Sequence, residues 1–301
     1  MKVKIAKPYS VWEQGSRKNQ EDAIFPRIGE ATAEDKVFIL CDGMGGHARG
    51  EVASNLVCDV LSSYIQEHWD GNSFTDALLL DALNATMDEL DQLNDDSDRR
   101  PGTTLTLLVF HAGGVFAAHI GDSRIYHFRP KKKAILYKSR DHSQVYDMLA
   151  SGEITVREMA KYSKKNIITR ALLPGLERRP KPSIVHIADV QPGDYFYLCS
   201  DGMLEKMSDA ELLRLLAKNI TDEEKCQELV RLTEHNKDNH SAYLIFVTGV
   251  IPEEKDGQLK NDEKDSPANA LNLERSAVGI SNNKGEGLFA SLKSLITKLL
   301  K

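Results

Sequence analysis

The 301 residues suffice for one large or two small domains, and an apolar share of 41% beside 28% charged residues excludes a disordered or membrane-embedded chain. A formal charge of −6 carries no basic footprint, so no nucleic-acid partner is expected. Lys2 to Trp12 alternates loosely as a strand and contains nothing like the apolar core of a secretory leader. A polar loop, Gly15 to Asp22, precedes the apolar Ala23-Ile24-Phe25. Val37 to Cys41 is too short and too apolar for anything but a buried strand, and it delivers Asp42 into the glycine-rich turn Gly43-Met44-Gly45-Gly46. Glu51 to Trp69 and Phe74 to Leu93 repeat apolar residues every three or four positions, the mark of helices with one buried face.

Beyond the break at Pro101-Gly102, strands are expected over Thr103 to Phe110, Val115 to Ile120, Ile125 to Phe128 and Ala134 to Tyr137, the first two joined by a hairpin turn at His111 to Gly114. Gly121-Asp122-Ser123-Arg124 interrupts the run. Helices follow from a cap at Asp141-His142-Ser143 to a stop at Gly152, and over Val156 to Tyr162. Then come a strand, Ser183 to Ile187, a second strand ending in Asp-Gly (Tyr195 to Cys199, then Ser200-Asp201-Gly202), helices over Leu204 to Lys218 and Asp222 to Asn236, and a closing strand, Ala242 to Val250. Hairpin-connected strands grouped apart from paired helices indicate an α+β fold with antiparallel sheets. Four single cysteines, Cys41, Cys58, Cys199 and Cys226, sit in apolar patterns without metal-ligand spacing, which fits a reducing cytoplasmic setting.

Three divisions emerge: a folded body over 1–250, a flexible polar linker over 251–286, and an amphipathic helix over 287–301. In the last, Leu288, Phe289, Leu292, Leu295, Ile296, Leu299 and Leu300 form one apolar stripe, with Lys293, Lys298 and Lys301 as the only charged side chains. At fifteen residues such a helix is marginal alone, so its stripe calls for its own domain, a partner protein or an anionic membrane surface.

Glu21, Asp22, Asp42, Asp122, Asp201 and Asp238 all fall at the ends of apolar segments. Carboxylates gathered in this way repel one another unless a cation stands among them, and a hard divalent ion takes oxygen ligands of this kind. Acid clusters of this type host two-metal hydrolysis.

The blocks R-K-N-Q-E-D (17–22), D-G-M-G-G-H-x-x-G-E (42–51), G-T-T-L (102–105), I-G-D-S-R-I-Y (120–126), D-H-S (141–143), I-T-R-A-L (168–172), S-D-G (200–202) and D-N (238–239) occur in an order that resembles the metal-dependent protein phosphatase 2C family. Met44 after Asp42-Gly43 matches its bacterial branch. The resemblance spans about residues 9 to 250 and implies a four-layer αββα sandwich of two antiparallel sheets flanked by helices. It implies hydrolysis of phosphoserine and phosphothreonine on proteins by a metal-activated water, with Mn²⁺ or Mg²⁺ as two ions and a weaker third. By the same resemblance Asp42 bridges two ions with the Gly43 carbonyl on the first, Asp201 and Asp238 hold the second, and Glu21 and Asp22 orient bound waters. Asp122 shares the third ion with Asp201, and Arg17 clamps the phosphate. A phosphorylated protein, opposed by a serine/threonine kinase, is the partner implied.

The pattern departs from the family in two places, at Met44 and in the flap. Animal relatives carry histidine, read as the general acid, where Met44 stands; that role is vacant, or falls to His47 or a metal-bound water. The D-N-x-[ST] motif is kept in step, as Asp238-Asn239-His240-Ser241. The bacterial flap reads Tyr162-Ser163-Lys164-Lys165-Asn166 without its His-Pro, which bears on specificity. Two other readings of the same fold are a pseudophosphatase that only binds phosphoproteins and a hydrolase of small phosphate esters.

Overall fold

The computed structural model describes residues 1–44, 49–94, 100–162 and 167–252. Of the linker expected over 251–286 the first residue, Ile251, instead ends the last strand, and everything from 253 on, with the helix expected over 287–301, lies outside the described residues, as do His47 and positions 163–166. A first compact unit spans Met1–Glu254.

Two six-stranded sheets form its centre, and every pairing is antiparallel. One runs in the order β1 (Lys2–Ile5), β12 (His240–Ile251), β11 (Tyr195–Cys199), β8 (Arg124–Arg129), β9 (Ala134–Lys138), with β2 (Tyr9–Glu13) also on β12. The other runs β10 (Ser183–Ile187), β7 (Gly114–Ile120), β6 (Leu105–His111), β4 (Val37–Met44), β3 (Asp22–Phe25), with β5 (Gly102–Thr103) on β4. Helices α1 (Arg49–His68) and α2 (Asp76–Asp91) cover the second sheet, and α5 (Asp209–Leu216) and α6 (Asp222–Thr233) the first. The short α3 (Gln144–Ser151) and α4 (Val156–Lys161) lie in the connection from β9 to β10. Three apolar cores separate the four layers, as the αββα expectation requires. Among the described residues no helix is long and apolar enough to cross a membrane.

β4 shows why its sequence is apolar throughout. Val37, Ile39 and Cys41 pack into the core under α1 and α2, while Phe38 and Leu40 pack between the sheets. A strand covered on both faces needs apolar residues at both parities.

Besides shifts of two or three residues at several ends, three departures from the sequence reading have a local reason. The single strand expected over Lys2 to Trp12 is two strands, both paired with β12, because Pro8 has no N–H to give the ladder. The expected strand Thr103 to Phe110 is interrupted at Thr104, whose amide turns to the Asp42 carbonyl at 2.9 Å. The helix expected from Leu204 starts at Asp209 instead: Asp201–Leu204 is a 3-10 turn, and Ser208 with Glu211 forms a reciprocal cap that fixes the start of α5.

Candidate active site

The inter-sheet core changes character at one end. Along each strand the inward positions that carry Ile24, Leu40, Leu108, Ile125, Leu198 and Tyr243 are apolar. One or two alternations further stand Asp22, Asp42, Thr106 with Thr104, Ser123, Ser200 and Ser241. Side chains of a strand point inward at every second residue, so the apolar rows end together in a polar floor.

Asp22 and Asp42 are directly opposed partners of the β3–β4 pair. Like charges in that position repel across the ladder. Asp22 is 1% exposed, and its Oδ2 accepts from Ser200 Oγ at 2.9 Å, which links the two sheets. The backbone of Asp42 is held from both sides: its amide donates to Thr104 Oγ1 at 3.0 Å, and its carbonyl accepts from Thr103 Oγ1 at 2.9 Å. Thr104 Oγ1 in turn meets Ser123 Oγ at 2.8 Å. Gly43 donates its amide to the Glu21 carbonyl at 3.1 Å, and a Cβ there would lie 2.4 Å from that oxygen, so only glycine fits. Ser54 Oγ of α1 donates to the same carbonyl at 2.6 Å.

Asp122 rides on a turn built by the D-H-S segment. His142 Nδ1 accepts from the Gly121 amide at 3.1 Å, and the His142 amide donates to the Gly121 carbonyl at 2.9 Å. Arg124 closes the turn with a two-pronged pair to Asp141, 2.7 Å on each arm. On the other sheet Gly202 lets the 3-10 turn carrying Asp201 approach β12; a Cβ would stand 2.0 Å from the Asn239 carbonyl.

Asn239 ties the loop before β3 to the start of β12. Its Oδ1 accepts from the Glu21 amide at 2.9 Å, and its Nδ2 donates to the Gln14 and Asn19 carbonyls at 2.8 and 2.9 Å. Arg17 rises from that loop, 57% exposed at its side chain, and donates from Nη2 to Asp238 Oδ2 at 2.6 Å.

These elements enclose a cavity of about 410 Å³ lined by Arg17, Glu21, Asp42, Gly43, Met44, Asp122, Ile168, Asp201, Asp238 and Asn239. Every site residue expected from the sequence lines it except Asp22, which lies beneath the floor. Thr104, Ser123, Ser200 and Asn239 stand within the quoted blocks, yet the sequence reading gives none of them a role in the site. The first three were legible as polar residues in phase with an apolar alternation; Asn239 bonds residues more than 200 positions away, which no local pattern signals.

The electrostatics follow from the crowding. Burial, and then the neighbouring Asp22, Asp201, Asp122 and Asp238, push the Asp42 carboxyl well above the carboxylate range. Burial raises Asp22 and Asp122 to about 7 and Asp201 to about 6, with other acids of the cluster adding to each shift. Among the described residues, Asp22 Oδ1 and Asp122 Oδ1 are buried without a hydrogen-bond partner. Buried unpaired carboxylate oxygens are costly, and an all-oxygen set of this charge suits a hard divalent cation. Among the described residues no three such groups converge into one compact ligand set. The acids stand around the cavity wall, a spacing that suits ions retaining several waters.

Comparison with known proteins agrees with this geometry. Residues 14–235 match the family model described as protein phosphatase 2C. The chain is 31% identical over 233 residues to the protein phosphatase PhpP of Streptococcus pneumoniae, covering 76% of this chain and 92% of that protein. The crystal structure of the Mycobacterium tuberculosis serine/threonine phosphatase PstP superposes with a TM-score of 0.67 at 28% identity, over 81% of this chain and 99% of that one. A catalytic domain of PstP in complex with two manganese ions gives a TM-score of 0.65 at 29% identity, over 82% and 100%. The chain belongs to the protein phosphatase 2C family.

Proposed function

We propose that the protein hydrolyses phosphoserine and phosphothreonine on other proteins with the aid of divalent cations. The observation that carries this reading is the single cavity in which Asp42, Asp122, Asp201 and Asp238 face one another beneath the exposed guanidinium of Arg17. Asp42 with Gly43, and Asp201 with Asp238, are the residues that would hold two ions, Mn²⁺ or Mg²⁺. Asp122, beside Asp201, would hold a weaker third, and Glu21 and Asp22 would orient water. Ions bound there supply a water acidic enough to attack at neutral pH and draw charge from the phosphoryl group.

The chain's own groups provide the rest. Arg17 offers a planar fork to phosphoryl oxygens, and its hydrogen bond to Asp238, helped by the nearby acids and only partly opposed by burial, keeps it firmly protonated. A cysteine nucleophile is disfavoured: all four cysteines are buried, and burial pushes the thiols of Cys41, Cys199 and Cys226 up, Cys226 to about 11. Direct attack of water, without a phosphoenzyme, fits these groups. The open cavity accommodates a side chain presented by a protein, and a serine/threonine kinase would be the opposing activity. For residues 287–301 the sequence supports docking to a membrane surface or partner protein by a cytoplasmic enzyme.

The test is hydrolysis of an aryl phosphate and of a phosphothreonine peptide in Mn²⁺, repeated after chelation. Activity on both, lost with chelator and restored by Mn²⁺, is expected. Turnover of the small ester with none of the peptide would move the protein to the small-ester reading. Peptide binding without turnover would make it a pseudophosphatase.

A further inference from the structure

The connection from α6 to β12, which delivers Asp238, is stitched to the segment that follows Asp201. Glu205 Oε2 accepts from the Lys237 amide at 2.9 Å, and Glu205 Oε1 from the Asp238 amide at 3.0 Å. The neighbouring Lys206 donates from Nζ to the His235 carbonyl at 2.7 Å, and Asn236 Nδ2 donates back to the Gly202 carbonyl at 2.7 Å. The Asp238 carboxylate is then fixed in its turn. Its Oδ1 accepts from the Asn239 amide at 2.9 Å and its Oδ2 from Arg17 at 2.6 Å.

We propose that Glu205 is a positioning residue that sets the spacing between Asp201 and Asp238 and, through Asp238, the aim of Arg17. The inference rests on the reading of these acids as a divalent-cation site. Asp201 opens the 3-10 turn Asp201–Leu204, and Glu205 closes it, so the two move as one piece. A carboxylate that takes two adjacent amides makes a pair of charge-assisted bonds and defines the position of the turn it grips. No other proton-accepting side chain of this reach bears on those two amides among the described residues. The choice of an acid has a further consequence. It places one more negative charge near Asp201 and Asp238, a repulsion relieved when positive charge stands among them, so the grip and cation loading favour each other. Aspartate is one methylene too short to keep both bonds, and glutamine replaces one acceptor by a donor facing an N–H.

Glu205 is itself exposed, so its loss is expected to cost little folding stability and to leave the geometric effect visible. The experiment is calorimetric titration of the full-length, metal-stripped protein with Mn²⁺, without substrate. Glu205→Ala should weaken Mn²⁺ binding by about 10–100-fold, the range for losing an outer partner of a metal ligand. Glu205→Gln and Glu205→Asp should fall between that variant and the wild type. Glu211→Ala, which removes an exposed cap of α5 outside the cavity, should lower the melting temperature as much or more and leave Mn²⁺ affinity unchanged. Unchanged Mn²⁺ affinity in Glu205→Ala, with Asp238→Asn weakened, would overturn the positioning role alone. Unchanged affinity in Asp201→Asn and Asp238→Asn as well would overturn the cation-site reading beneath it.

Discussion

Two groups of buried carboxylates occupy this domain, and they are treated in opposite ways. At one, Asp194 is fully buried, and its oxygens accept from Arg129 Nε at 2.8 Å, Arg129 Nη2 at 2.9 Å, His127 Nε2 at 2.8 Å and the Gln191 amide at 2.9 Å. Burial alone would raise its pKa; the bonds from Arg129, His127 and Gln191 outweigh it and hold the group at about 2. At the other, Asp22, Asp42, Asp122 and Asp201 face acids, and two of their oxygens have no hydrogen-bond partner among the described residues. A carboxylate whose two oxygens are both met is a staple. Acids pressed together with lone pairs unmet mark the place where the protein expects help from outside itself.

The comparison is broken most forcefully at the staple. Asp194→Ala takes from the buried Arg129 one of its two carboxylate partners, leaving Asp189, and strips His127 Nε2 and the Gln191 amide of their acceptor, so a loss of about 1–3 kcal/mol for each donor left unmet is expected. Denaturant unfolding measures it, and the fraction still folded should turn over aryl phosphate at the normal rate. Asp42→Asn should do the reverse. Activity in saturating Mn²⁺ should drop by at least about 100-fold, the upper end for losing even an outer partner of a metal ligand. In chelator the variant should melt at or above the wild-type temperature, because a repelled charge has been removed. Normal turnover in that variant would sink the site assignment.

Acid titration sharpens the contrast. The Asp194 pKa is depressed in the folded state, so its contribution is complete above about pH 4 and is lost as pH falls toward 2. Unfolding free energy followed down this window should therefore decline more steeply in the wild type than in Asp194→Asn. The smallest effect belongs to the exposed Arg17. Arg17→Ala should raise KM for phosphopeptide by about tenfold, roughly 1.4 kcal/mol, and lower kcat less, with Arg17→Lys recovering only part. An unchanged KM would leave the bond to Asp238 as its sole role.

The difference between the two groups also governs what the sequence could reveal. The unmet acids sit where strands run out into glycine, serine or asparagine, so Asp42, Asp122, Asp201 and Asp238 stand out locally. Asp194 reads as an ordinary turn residue in Gln191-Pro192-Gly193-Asp194, and only folding brings Arg129 and His127 to it from 65 and 67 positions away. The helices α1, α2 and α6 were legible from periodicity because their burial is one-sided. The start of α5 was also written locally, in Ser208-x-x-Glu211, yet apolar Leu204 and Met207 drew the expected helix too early. The grip of Asn239 on residues 14–21 and of Glu205 on residues 237–238 belongs to tertiary structure alone, since nothing in a dipeptide signals its distant partner.

The long strand β12 places a constraint on synthesis. It pairs with β1 and β2 on one side and β11 on the other, so the opening strands of the chain have no partner until the last strand of the domain is made. Glu13 waits for His240, and roughly 225 residues of translation at ~5–20 per second separate them, on the order of 10–45 s. Asp238 arrives with that strand, whereas Asp22 and Asp42 emerge early. A nascent chain therefore carries Asp22 and Asp42 on the other sheet, whose last strand is β10, while the sheet that brings Asp238 stays unfinished, and catalytic competence comes only when the ribosome has released β12.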